Sequence, residues 1–136
     1  MSYQIDYYLI DKHCIDRLVS DYLKYNQLVI GVDFDDTIYD TYKKDRSHNI
    51  VINTLKKAQS LGCKLCVWTA NKNALLVKER WEEIGLTIDY YNESPIVLHS
   101  AQVKPYFSIL LDDRAGLNSA TTCLHHALEQ IEKQRK

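Results

Sequence analysis

Between Leu28 and Phe34 the chain reads LVIGVDF, an apolar stretch that ends in acid, with Asp33, Asp35 and Asp36 crowded together. A strand apolar on both faces belongs in a parallel sheet covered from both sides. Parallel neighbours in turn require crossover connections, usually helical. The acids add a second constraint. Carboxylates this close repel one another, and burial would raise their pKa values. Either something positive offsets them or they are solvated in a turn.

The rest of the chain supplies the crossovers. Ile15, Leu18, Val19, Tyr22 and Leu23 recur at helical spacing, which predicts an amphipathic helix over residues 11–25. A second helix is expected over 48–61, with Gly62 as its C-terminal cap. CKLCVWT (63–69) reads as the second strand, KNALLVKERWEEIG (72–85) as a helix stopped at Gly85, and LTIDYY (86–91) as the third strand. SPIVLHSAQV (94–103) is irregular or a short helix, and YFSILLDD (106–113) is a fourth strand ending in acids. Leu117, Ala120, Leu124, Ala127, Leu128 and Ile131 line one face of a final helix. Residues 3–10 (YQIDYYLI) are an extra edge strand or a loose arm.

Strands alternating with helices imply a three-layer α/β/α sandwich around a parallel, Rossmann-like sheet with right-handed crossovers. The 136 residues suffice for one core and little more. The expected organisation is therefore one domain: an N-terminal extension with a helix (1–27), a core (28–115) and a C-terminal helix (116–136).

Charge and composition narrow the class. With 17 Lys+Arg against 18 Asp+Glu, the chain lacks the basic excess of a sequence-independent nucleic-acid binder. No apolar run approaches the roughly 20 residues of a membrane span, and the first residues lack a signal-peptide pattern. A soluble, cytoplasmic protein with no membrane partner is expected. Cys14, Cys63, Cys66 and Cys123 do not form a disulfide framework. Cys63 and Cys66 lie three apart on a strand, so their thiols face opposite sides and are read as packing residues.

In an open parallel sheet the functional crevice lies beyond the carboxyl ends of the strands. Asp33 and Asp35, then Thr69, then Asp112 and Asp113 close strands one, two and four, and Lys104 just precedes strand four. Carboxylates from separate strands make a hard, oxygen-lined site suited to Mg²⁺. With a lysine and a threonine hydroxyl beside it, such a site matches phosphoryl transfer, which mainly requires positioning and charge cancellation. Asp36 is read as a solvent-facing turn residue.

This constellation resembles the haloacid dehalogenase-like hydrolase superfamily over about residues 28–115. DFDDT matches the DxDxT signature at Asp33, Asp35 and Thr37; Thr69 in VWTAN matches the second motif, Lys104 the third, and ILLDD the fourth. The resemblance implies that Asp33 is the nucleophile and a metal ligand. It implies that Asp35 is the general acid/base and offers Mg²⁺ its backbone carbonyl. Thr69 and Lys104 would bind the phosphoryl group, and Asp112 with Asp113 would complete the metal site. The family's dehalogenase branch lacks the second aspartate, so Asp35 favours phosphate chemistry.

Residues 38–68 and 70–103 are too few to hold a cap domain, so the resemblance is to small capless members like those of phage and bacteria. The flap IYDTYKKDRSHN would be the only local cover, with Tyr39, Tyr42, Lys43, Lys44 and Arg46 as candidate substrate contacts and Arg114 as another. The implied activity is Mg²⁺-dependent hydrolysis of a phosphomonoester, on a small molecule such as a nucleotide or on a nucleic-acid end. In the family, open capless sites often serve large substrates or rely on oligomerisation for closure. The alternative is a non-catalytic module of the same fold that binds a phosphorylated partner. A receiver domain fails on motif order, because Lys104 precedes the second acid pair. No P-loop is present.

Overall fold

The computed structural model describes residues 4–95 and 104–135. It is an α/β architecture, a four-stranded, all-parallel sheet flanked by helices, consistent with a three-layer Rossmann-like sandwich. The strands are β1 (Val29–Val32), β2 (Lys64–Val67), β3 (Tyr90–Tyr91) and β4 (Ile109–Leu111). Their order across the sheet is β3-β2-β1-β4, all neighbours parallel. The helices are α1 (Asp11–Tyr25), α2 (Asn49–Ser60), α3 (Ala74–Glu83) and α4 (Leu117–Gln134). None of the helices among the described residues is long and apolar enough to cross a membrane.

Alternation along β1 explains how the layers are held. Ile30 and Val32 join one hydrophobic cluster with Leu65, Val67 and Leu111 and with the apolar faces of all four helices. Burial of such side chains is the main favourable term in holding the fold, at about 1.5–3 kcal/mol for each large one. Gly31 points the other way, towards the ring of Phe107. The two cysteines of CKLC also separate as expected. Cys63 belongs to the helical-side cluster, whereas the Cys66 thiol approaches the Glu93 carbonyl at 3.3 Å. Burial pushes the Cys63 thiol up to about 11 and raises that of Cys66, so both are inert packing groups.

Two elements differ from their sequence reading. Residues 4–10 form a 3-10 turn (Tyr7–Leu9) leading into α1 and do not pair with the sheet, so the edge beside β4 is not filled by them. The third strand is only Tyr90–Tyr91. Just before it, the Asp89 carboxylate accepts the Leu65 N–H at 2.9 Å, a bond the ladder would otherwise make through a backbone carbonyl. Just after it, Asn92 turns left-handed, with φ 49°. The irregular segment expected over 94–103 falls mostly outside the described residues.

Candidate active site

The ladder between β1 and β4 runs one step past the strands, because the Asp33 N–H donates to the Leu111 carbonyl at 2.9 Å. This sets Asp33 beside Asp112 and Asp113. Each of the three offers a carboxylate oxygen, and these oxygens lie within 4.8 Å of one another. Thr37, fully buried, ties the two loops together. Its hydroxyl donates to Asp33 Oδ2 at 3.2 Å and accepts the Asp113 N–H at 3.1 Å. Without a cation, burial pushes the Asp33 carboxyl up to about 7, aided by its hydrogen bond to Asp113 and the charges of Asp112 and Asp113. Donation from Thr37 opposes that rise.

Thr37→Val keeps the shape and removes both bonds. Leaving buried polar groups unmatched costs about 1–3 kcal/mol. The variant should be destabilised by that amount in urea denaturation, and an unchanged midpoint would deny the hydroxyl its bridging role.

Asp35 stands apart from the three-carboxylate cluster. Thr41 Oγ1 donates to its Oδ1 at 2.9 Å, and Asn71 Nδ2 donates to the same oxygen at 3.2 Å. One oxygen is thus engaged twice. Neither Thr41 in the flap nor Asn71 at the end of VWTAN was singled out from the sequence, since no periodicity marks them. Asp36 adopts a left-handed conformation, φ 60°, which Asp tolerates better than most residues. It donates its N–H to the Tyr39 carbonyl at 2.9 Å and lines the cavity rather than simply facing solvent.

Thr69 follows β2 and is clamped from β3. Asn92 Oδ1 accepts the Thr69 N–H at 2.8 Å, and Asn92 Nδ2 donates to the Thr69 carbonyl at 2.9 Å. Asn92 is a third residue that the sequence did not flag, although an Asn directly after a short strand is a common turn signal.

These groups converge on one cavity of about 750 Å³. Asp33, Asp35, Thr69, Asp112, Asp113, Tyr42 and Arg114 all line it. Tyr39 does not: its ring stacks on Phe34, centroids 4.9 Å apart, and packs against the core. Lys43, Lys44 and Arg46 are exposed and lie outside the lining. Lys104 is likewise exposed and outside it. The flap therefore contributes Thr41 and Tyr42 rather than its cations. Replacing Lys43, Lys44 and Arg46 together by Gln should change kcat/KM by less than about twofold, since exposed charges outside the lining are screened by solvent and salt. A larger loss for a multiply charged substrate would restore them as contacts.

No family model, curated protein or solved structure matches this chain. The donor set is carboxylate oxygen, and among the described residues neither cysteine nor histidine lines the cavity. Such a set suits a hard dication such as Mg²⁺ and disfavours a soft one.

Proposed function

We propose that the chain is a Mg²⁺-dependent phosphomonoesterase that works through an aspartyl-phosphate, as the resemblance to haloacid dehalogenase-like hydrolases implies. One observation carries the reading. Two acid groups from neighbouring strands, a doubly held third acid and a clamped threonine all face one cavity at the carboxyl edge of the sheet.

Asp33 is the nucleophile. Its carboxylate oxygen bonds to phosphorus as the ester P–O bond breaks, and the leaving alkoxide takes a proton from Asp35. In the second half, Asp35 removes a proton from water, whose oxygen bonds to phosphorus and releases Asp33. Because Thr41 and Asn71 occupy Oδ1 of Asp35, the travelling proton sits on Oδ2. Thr69 donates to a phosphoryl oxygen, its backbone fixed by Asn92. Asp33, Asp112 and Asp113 would hold Mg²⁺, which supplies positive charge against the carboxylates and the phosphoryl oxygens.

One observation favours the alternative, a non-catalytic module that binds a phosphorylated partner. Lys104, the cation expected to meet the phosphoryl group, stands outside the cavity. A phosphate-release panel of nucleotides, phosphosugars, nucleic-acid ends and phosphopeptides, with Mg²⁺ and with chelator, decides between the two. Chelator-sensitive release from any class supports the enzyme; binding without release supports the module.

The acid has its own test. In Asp35→Asn, the phosphoenzyme formed from an activated acyl phosphate should persist, because that leaving group needs no proton but the attacking water must still lose one. Dephosphorylation should slow by roughly a hundredfold or more, read by intact mass after acid quench. Unslowed decay would move the role to another residue.

A further inference from the structure

We propose that the cavity takes the aromatic base of a nucleoside monophosphate on the faces of Trp68 and Tyr42. The inference rests on the phosphatase reading for where the phosphate sits, and it names the substrate class of that same site.

Trp68 directly follows β2 and is adjacent to Thr69, so an ester whose phosphate reaches Thr69 passes the indole. Trp68 is part-exposed and lines the cavity. Its orientation is set from behind. Phe107 meets it edge-to-face, centroids 5.8 Å apart and planes at 71°. Phe107 in turn lies so close over Gly31 that a Cβ there would stand 2.6 Å from the ring. A glycine in the central strand thus seats one aromatic ring, and that ring positions a second at the cavity wall. A side chain held in place before binding loses little freedom when a ligand stacks on it. Tyr42, 64% exposed on the flap, adds another flat face to the same cavity.

The polar groups of the wall argue against a bare sugar phosphate. Asn92 uses both amide atoms on the Thr69 backbone, and the Thr41 hydroxyl donates to Asp35. A polyol finds these groups already engaged, whereas a π-face finds two aromatic surfaces. Arg114, exposed at the rim, can stack on the base or meet its ring acceptors. Base-on-aromatic stacking typically improves binding by about tenfold or more per base.

The test compares adenosine 5′-monophosphate with ribose 5-phosphate, which differ only in the base. Isothermal titration is made on Asp33→Asn with Mg²⁺, and kcat/KM is measured on the wild-type chain with acetyl phosphate as a third substrate. The nucleotide should be preferred by about tenfold or more in both measurements. Trp68→Ala, added to either background, should collapse that ratio. Tyr42→Ala, at an exposed position that the fold does not need, should reduce it as well. Equal treatment of the two ligands, or a ratio untouched in both variants, overturns the base site. Acetyl phosphate hydrolysed without a nucleotide preference removes the base site and leaves the phosphatase. A nucleotide preference in titration with no phosphate released from any substrate removes the phosphatase and leaves a nucleotide-binding site.

Discussion

Replacing Asp33 by Asn should abolish phosphate release, by at least about a thousandfold, while leaving the protein folded. Losing a covalent nucleophile has effects of that order or larger. An amide can still accept the Thr37 hydroxyl that now bonds Asp33 Oδ2. It also carries no charge beside Asp112 and Asp113, so the metal-free variant should melt no lower than the parent at neutral pH. Activity alone does not separate a lost nucleophile from a weakened cation site. The separating measurement is intact mass after acid quench with an acyl phosphate. The wild-type chain should show a phosphorylated species and the variant none. Near-normal turnover in the variant would falsify the covalent route.

The metal-free protein should lose stability as pH rises from about 4 to about 7, and Mg²⁺ should restore it. The sign follows from proton counting. The unfolded chain releases the Asp33 proton near the ordinary value of 3.8, whereas the folded one keeps it to about 7. Between those values the native state binds more protons, so raising pH favours unfolding; above the folded value this group adds no further loss. A dication would occupy the place that the shared proton fills in its absence. Its benefit should therefore be small near pH 5 and full near pH 7.5. At a hundredfold excess over Kd the gain is about 2.7 kcal/mol, roughly 10 °C in Tm for a domain of this size. Asp112→Asn should flatten the metal-free pH dependence, because the Asp112 charge helps to hold the Asp33 proton. It should also remove most of the Mg²⁺ gain. Thermal melts in chelator and in Mg²⁺ across this range decide it, and a wild-type Tm indifferent to Mg²⁺ at pH 7.5 counts against the cation site.

Much of the fold was legible because hydrophobic period and strand ends are local properties. The LVIGV run gave a strand buried on both faces, and the α1 boundaries read from Ile15 to Leu23 agree with Asp11–Tyr25. The acids at the ends of β1 and β4 were legible for the same reason: a parallel sheet turns two sequence-distant strand ends into neighbours. What escaped was decided by single hydrogen bonds. Asp89 replaces a ladder bond and shortens β3. Thr41 and Asn71 meet on one oxygen of Asp35, and Asn92 grips Thr69, through contacts that no periodicity encodes. The flap was harder to read because its composition, tyrosines among cations, says nothing about which side chains line the cavity. Tyr39 is taken by Phe34, and the cations are exposed and outside the cavity lining.

The same flap is divided mechanically. Its first half is pinned by the Asp35–Tyr39 bridge, by the bond from Asp36 N–H to the Tyr39 carbonyl, and by Arg80 Nε donating to the Ile38 carbonyl at 3.1 Å. Its second half, residues 43–47, is exposed, with Lys43 and Asp45 both left-handed. Extra residues spliced between Lys43 and Ser47 would begin and end on the surface, past the last group that touches Asp35. An exposed loop tip of this kind tolerates insertions. The chain thus offers an attachment point where a roof could be added over the open cavity without rebuilding the cavity itself.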